Sequence, residues 1–148
     1  MDPYLPLALA LLTRWEGFKE EAYQDQGGIW TVGYGFTSLS GQPVTRLSTI
    51  TRSEALPILT NLLVTNNTYL NLHCFEPLTN HQRAACLSLA YNIGMGNFGK
   101  STLLKYLNDG AYGAASAQFL VWTYCKHEYD RGLANRREAE KACFDTRD

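Results

Sequence analysis

Residues 16–37 read E-G-F-K-E-E-A-Y-Q-D-Q-G-G-I-W-T-V-G-Y-G-F-T, and the pattern of the chain changes inside them. Upstream, Pro3 and Pro6 suit the first turn of a helix that continues through A-L-A-L-L-T-R-W-E. That helix is expected to stop near Gly17, which leaves Glu16 on its last turn. From Ala22 to Thr37 the chain becomes short runs of Tyr, Ile, Trp, Thr and Val broken by Gly27-Gly28, Gly33 and Gly35. Aromatic and β-branched residues between glycine turns predict small antiparallel strands. Asp25 then lies in or beside the first turn, and Thr31 on the strand that follows, facing back.

Outward from this stretch the pattern is helical. Residues 38–52 are polar and turn-rich and read as loop. Thr51 with Glu54, or Ser53 as cap, starts a long helix over E-A-L-P-I-L-T-N-L-L-V-T-N-N-T-Y-L, with Pro57 near its first turn. Thr79-x-x-Gln82 is a capping box that opens H-Q-R-A-A-C-L-S-L-A-Y-N-I, which Gly94 terminates. Ser101 caps T-L-L-K-Y-L-N, ended by Gly110. Two further helices are predicted over A-A-S-A-Q-F-L-V-W-T-Y-C-K, with Trp122 in the core, and over L-A-N-R-R-E-A-E-K-A-C-F after Gly132. The fold class is α+β, mainly α, with one small sheet.

Composition excludes several classes. The 148 residues are 45% hydrophobic and 18% charged, ordinary values for a folded chain able to bury a core. The net charge of −1 divides unevenly, with four Lys/Arg against seven Asp/Glu before residue 80 and nine against seven after it. Neither half is a basic stripe, so no nucleic-acid partner is expected. The apolar run Leu5–Leu12 is far short of the roughly 20 residues that span a bilayer, and Asp2 replaces the positive start of a secretory signal. It reads as a buried helix, and the chain is expected to have no route of its own across a membrane. The four cysteines, Cys74, Cys86, Cys125 and Cys143, lack any C-x-x-C spacing, and Cys86 in R-A-A-C-L-S-L-A reads as a buried free thiol. His73, His81 and His127 show no zinc-ligand spacing, so no metal is expected.

Two carboxyl groups in unlike settings suit the splitting of a glycosidic bond, which needs a proton for the departing oxygen and an activated water at the anomeric carbon. Glu16, on a helix end with Trp15 and Phe18 expected to pack around it, is the candidate acid. Asp25, in a polar glycine-rich turn, is the candidate base. Thr31 offers a hydroxyl that can hold a water beside Asp25. Tyr34 and Gly35, just after Thr31, are candidates for lining the cleft. Against this stands the ordinary fate of an acidic residue, a solvated surface charge, which is the reading given to Glu20 and Glu21.

The spacing of Glu16, eight residues, Asp25, five residues, Thr31 and then V-G-Y-G resembles the signature of the phage-type lysozymes, glycoside hydrolase family 24. L-T-N-H-Q-R-A-A, S-L-A-Y-N-I-G, F-G-K-S-T-L-L-K-Y-L-N and G-L-A-N-R-R-E-A-E resemble the C-terminal lobe of lambdoid-phage endolysins, so the similarity covers residues 14–143 in order. The resemblance implies a lysozyme-like fold with one domain over 1–148. It has a β-containing lobe at about 14–60, joined by a long helix to a helical lobe at about 61–148 that includes the N-terminal helix. It implies an endolysin, a muramidase that hydrolyses the β-1,4 bond between N-acetylmuramic acid and N-acetylglucosamine in peptidoglycan. Inversion is expected, which requires the carboxyls to stand roughly 6.5–9.5 Å apart. Glu16 carries over as acid, Asp25 as the base that positions or activates water, and Thr31 as its helper. Tyr91 and Asn92 end a helix in a motif the family shares and are candidates to face the cleft. Arg136 resembles a helix-borne arginine that supports the catalytic Glu, with Arg137 an equal alternative. Phe36 stands where many members have histidine, whereas Asp25 is kept where some have cysteine.

No cofactor is required. A monomer is expected, held in the host cytoplasm until a holin releases it to the periplasm and cell wall. A secreted lysozyme-like effector, or a non-catalytic peptidoglycan-binding module, would share the fold. The second has no need of Glu16, Asp25 and Thr31 together.

Overall fold

The computed structural model describes residues 1–148. The chain divides into two compact units, Leu12–Leu62 and a second made of Met1–Leu11 with Leu63–Asp148. Both boundaries fall inside helices, α1 (Tyr4–Trp15) and α2 (Arg52–His73). The apolar run at the N-terminus lies within α1, and no helix is long and apolar enough to cross a membrane.

In the smaller unit, β1 (Lys19–Gln24) pairs antiparallel with β2 (Trp30–Gly33). The register slips: Lys19 faces Gly33 and Tyr23 faces Thr31, so four steps on β1 oppose two on β2. The extra residues of β1 turn outward and bond a passing segment, with Ala22 donating to the Ser48 carbonyl at 3.1 Å and Ile50 donating to the Glu20 carbonyl at 2.9 Å. Irregularities of this kind re-aim the side chains beside them. After β2 the chain folds back on itself, with Val32 and Phe36 exchanging both amide bonds at 2.9 and 2.8 Å around Gly33-Tyr34-Gly35. A Cβ at Gly33 would meet the Phe36 ring at 2.8 Å, and its φ of +68° is one that side-chain-bearing residues seldom adopt. Val32, Tyr34, Phe36, Val44 and Ile50 form the buried apolar interior of this unit with Leu12, Ala55 and Leu59.

Residues 38–52, read as loop, contain a second ribbon, β3 (Ser38–Leu39) with β4 (Gln42–Pro43). Its turn is Ser40-Gly41, both at positive φ, 50° and 79°, the backbone twist that tight hairpins favour. Thr51 caps α2 reciprocally with Glu54: the Glu54 amide donates to Thr51 Oγ1 at 3.2 Å and the Thr51 amide to Glu54 Oε1 at 3.1 Å. The Thr51 amide and then its hydroxyl, both donating to the Glu54 carboxylate, hold that group below its ordinary range.

The larger unit is helical around α3 (Asn80–Ile93), whose seven consecutive residues Ala84–Ala90 are all buried. Small residues on every face let neighbours approach closely, and α7 (Arg131–Asp145) packs along it. The Thr79–Gln82 capping box is present, as is the stop at Gly94, and such a cap contributes on the order of 1 kcal/mol. Beyond α4 (Met95–Gly99), Ser101 caps α5 (Thr102–Asn108) by accepting from the Leu104 amide at 3.1 Å. Cys86 is fully buried, and burial pushes its thiol well above the usual range.

One predicted helix is shorter than expected. α6 covers Tyr112–Gln118 only, a 3₁₀ turn follows at Phe119–Val121, and Trp122 lies outside any helix, half-buried. The chain then forms a third ribbon, β5 (Tyr124–Cys125) with β6 (Glu128–Tyr129). Its turn residues Lys126 and His127 carry φ of 51° and 68°. The aromatic and β-branched content of W-T-Y-C prevails here over its apolar run. The expected single sheet is thus three separate two-stranded ribbons.

Candidate active site

Glu16 is set by the end of α1. Its amide still bonds the Leu12 carbonyl at 2.9 Å, and Gly17, at φ +69°, takes the chain out of the helix. The side chain is half-buried and runs beside Gly35, where a Cβ would stand 3.4 Å from Glu16 Oε1. With φ of +82°, Gly35 holds a backbone conformation that side-chain-bearing residues seldom adopt. Trp15 has the Arg14 guanidinium over its ring at 4.9 Å, and Phe18 lies between the Tyr34 ring at 5.0 Å and the Arg52 guanidinium at 4.7 Å.

Asp25 organises the turn that joins β1 to β2. Its amide donates to the Ile29 carbonyl at 2.9 Å, and its carbonyl accepts from the Gly28 amide at 2.9 Å. Its side-chain Oδ1 accepts from the amides of Gly27 at 2.8 Å and Ile29 at 2.9 Å. A carboxyl group bonded so through one oxygen is fixed in direction while Oδ2 stays open to solvent. Thr31 sits two residues beyond this turn, 4% exposed, and its hydroxyl donates to the Ile29 carbonyl at 2.9 Å. Because that bond uses the only hydroxyl proton, Thr31 Oγ1 can serve another ligand only as an acceptor.

The remaining expected site residues, Tyr34, Tyr91, Asn92 and Arg136, have the following surroundings. Tyr34 is 4% exposed, its ring held between Phe18 and Phe36, so it shapes the turn and presents no face to a sugar. Tyr91 and Asn92 belong to the helical unit, where Asn92 Oδ1 accepts from Arg137 Nη1 at 2.9 Å. Arg136 and Arg137 converge on Glu140, with Nε of each at 3.1 and 2.6 Å from its two oxygens. Ser88 donates to the same carboxylate, and its carbonyl accepts from Arg136 Nη2 at 3.0 Å. Glu140, absent from the sequence reading, is the hub of this buried cluster. Its spacing of three and four residues from the two arginines on one helix was the available signal.

A concavity of about 1030 Å³ runs along Phe18–Tyr23 and Thr51–Ser53. Neither Glu16 nor Asp25 lines it, so volume alone does not locate the chemistry.

The chain is similar to known proteins along most of its length. The family model described as phage lysozyme matches residues 13–140. An endolysin of Acyrthosiphon pisum secondary endosymbiont phage 1 is 42% identical over 143 residues, 93% of this chain and 94% of that one. A SAR-endolysin of Enterobacteria phage P21 is 36% identical over 126 residues, 85% of this chain and 74% of that one. The crystal structure of a phage P22 lysozyme mutant superposes with a TM-score of 0.84 at 34% identity, covering 95% of this chain and 96% of that one.

Proposed function

The chain belongs to the phage lysozyme family and is a glycoside hydrolase, an endolysin that hydrolyses peptidoglycan, and from this we propose that Glu16, Asp25 and Thr31 carry the reaction. Glu16 donates its proton to the glycosidic oxygen between N-acetylmuramic acid and N-acetylglucosamine as that bond breaks. A water attacks the anomeric carbon, and its proton passes to Asp25. The products are a new hydroxyl on the departing sugar and a reducing-end N-acetylmuramic acid.

The observation that carries this reading is the polarity of the Asp25–Thr31 pair. Asp25 Oδ1 is tied to two amides, and Thr31 has spent its proton on Ile29, so Oδ2 and Oγ1 are both acceptors. A water that donates one hydrogen to each presents its oxygen lone pair outward, the orientation a nucleophile needs. Gly35 keeps the approach to Glu16 Oε1 clear. Attack by water held in this way gives inversion. Proton NMR of freshly cleaved glycan strands tests it: the α-anomer of the new reducing end appears first, and initial release of the β-anomer would refute the water-attack geometry. The enzyme acts at the cell wall. In the same reading it works as a monomer, and a holin supplies its passage from the host cytoplasm.

A further inference from the structure

Tyr23 stands directly opposite Thr31 in the β1–β2 ladder. Residues so paired project from the same face, with Cβ atoms roughly 4.5–5.5 Å apart. Asp25 opens the turn immediately after β1, two residues from Tyr23, and its charge acts on the Tyr23 phenol. The tyrosine therefore shares its face with Thr31 and lies two residues from Asp25. Tyr23 is 38% exposed and also borders the groove along Phe18–Tyr23.

The phenol is neither buried nor remote. Partial burial raises its pKa first, and the charges of Glu16 and Asp25 raise it further, with no hydrogen bond among the causes. Both carboxyl groups thus act on this hydroxyl through space, and neither takes its proton. What results is an O–H donor that keeps its hydrogen across the range in which a lysozyme works, beside Asp25 and Thr31, which only accept. The ordinary alternative is a strand tyrosine whose hydroxyl simply meets water. It accounts for the exposure but gives the hydroxyl no part in turnover.

We propose that Tyr23 is a substrate-positioning residue of this active site, its phenol donating a hydrogen bond to an oxygen of the sugar over Glu16 and Asp25. This rests on the assignment of those two carboxyls given above. The sugar presents ring and acetamido oxygens, acceptors that an ionised carboxylate cannot address. A donor is the one polar function that Asp25 and Thr31, both acceptors here, do not supply. Held at that oxygen, the reacting ring keeps its anomeric carbon in line with the water.

Tyr23→Phe removes the hydroxyl and leaves the ring, the pairing with Thr31 and the groove wall in place. On soluble, uncross-linked peptidoglycan glycan strands, kcat is expected to fall about tenfold with KM changed by less than about twofold, the mark of an interaction that matters at the transition state. The thermal midpoint should stay within about 1 °C, since the hydroxyl has no partner in the fold. An unchanged kcat overturns the proposal, as does a loss confined to KM or one that tracks a lowered midpoint. Glu16→Gln measured alongside separates the two levels of the argument. If it retains full turnover, the carboxyl assignment fails and takes the proposal with it. If it is inactive while Tyr23→Phe matches wild type, only the role of Tyr23 is lost.

Discussion

Asp25 and Glu140 are carboxyl groups of one chain put to opposite uses, and their partners show how. Asp25 lies in an exposed turn and is held by backbone amides of Gly27 and Ile29 through one oxygen. Glu140 is wholly buried, with Arg136 and Arg137 on its two oxygens and the Ser88 hydroxyl closing the cluster. Backbone donors fix a carboxylate's direction without neutralising its charge or covering its far side. Two guanidinium groups and a hydroxyl do both. A carboxylate that must meet water and substrate therefore belongs in a turn such as 25–29, and one that locks α7 onto α3 belongs where Glu140 is.

Glu140→Gln should give the largest effect of all on stability. It removes the carboxylate on which both guanidinium groups converge, and breaking a buried pair by taking away one partner costs about 3–5 kcal/mol. At about 2–4 °C per kcal/mol for a chain of this length, the thermal midpoint should fall by on the order of 10 °C. A midpoint within a degree or two of wild type would mean that the cluster is far better solvated than its burial implies.

Asp25→Asn should divide the other way. The amide oxygen can still accept from Gly27 and Ile29, so the turn and the midpoint are expected to persist. Activity should drop about a hundredfold or more, because an amide cannot take the water's proton. Retained clearing by a folded Asp25→Asn protein would leave Asp25 as a turn residue only and end the contrast with Glu140.

Much of this was legible locally. Helix starts at Thr51, Thr79 and Ser101 follow from side chains that satisfy nearby amides, and stops at Gly17 and Gly94 from glycine's access to positive φ, so the sequence around each suffices to read it. The spacing of Glu16, Asp25 and Thr31 could be read because a helix end and one hairpin place all three. What escaped depended on partners distant in sequence or on unusual turn chemistry. Ser88 and Glu140 are 52 positions apart, and nothing in R-A-A-C-L-S-L-A announces a carboxylate. The β5–β6 ribbon turns on Lys126-His127, where a Gly or Asn would have signalled a tight turn, and the apolar run before it mimicked a helix. Tyr34 looked like a cleft residue from its place after Thr31, but the fold-back at Val32–Phe36 sends its ring into the interior.

The central claim is that Glu16 supplies the proton. Its most direct test is the clearing of outer-membrane-permeabilised Gram-negative cells by wild type beside Glu16→Gln, with mass spectrometry of the released muropeptides. Wild type should clear the suspension and release fragments ending in reducing N-acetylmuramic acid, while a folded Glu16→Gln protein leaves turbidity unchanged over the same interval. Equal clearing by both proteins would contradict the account.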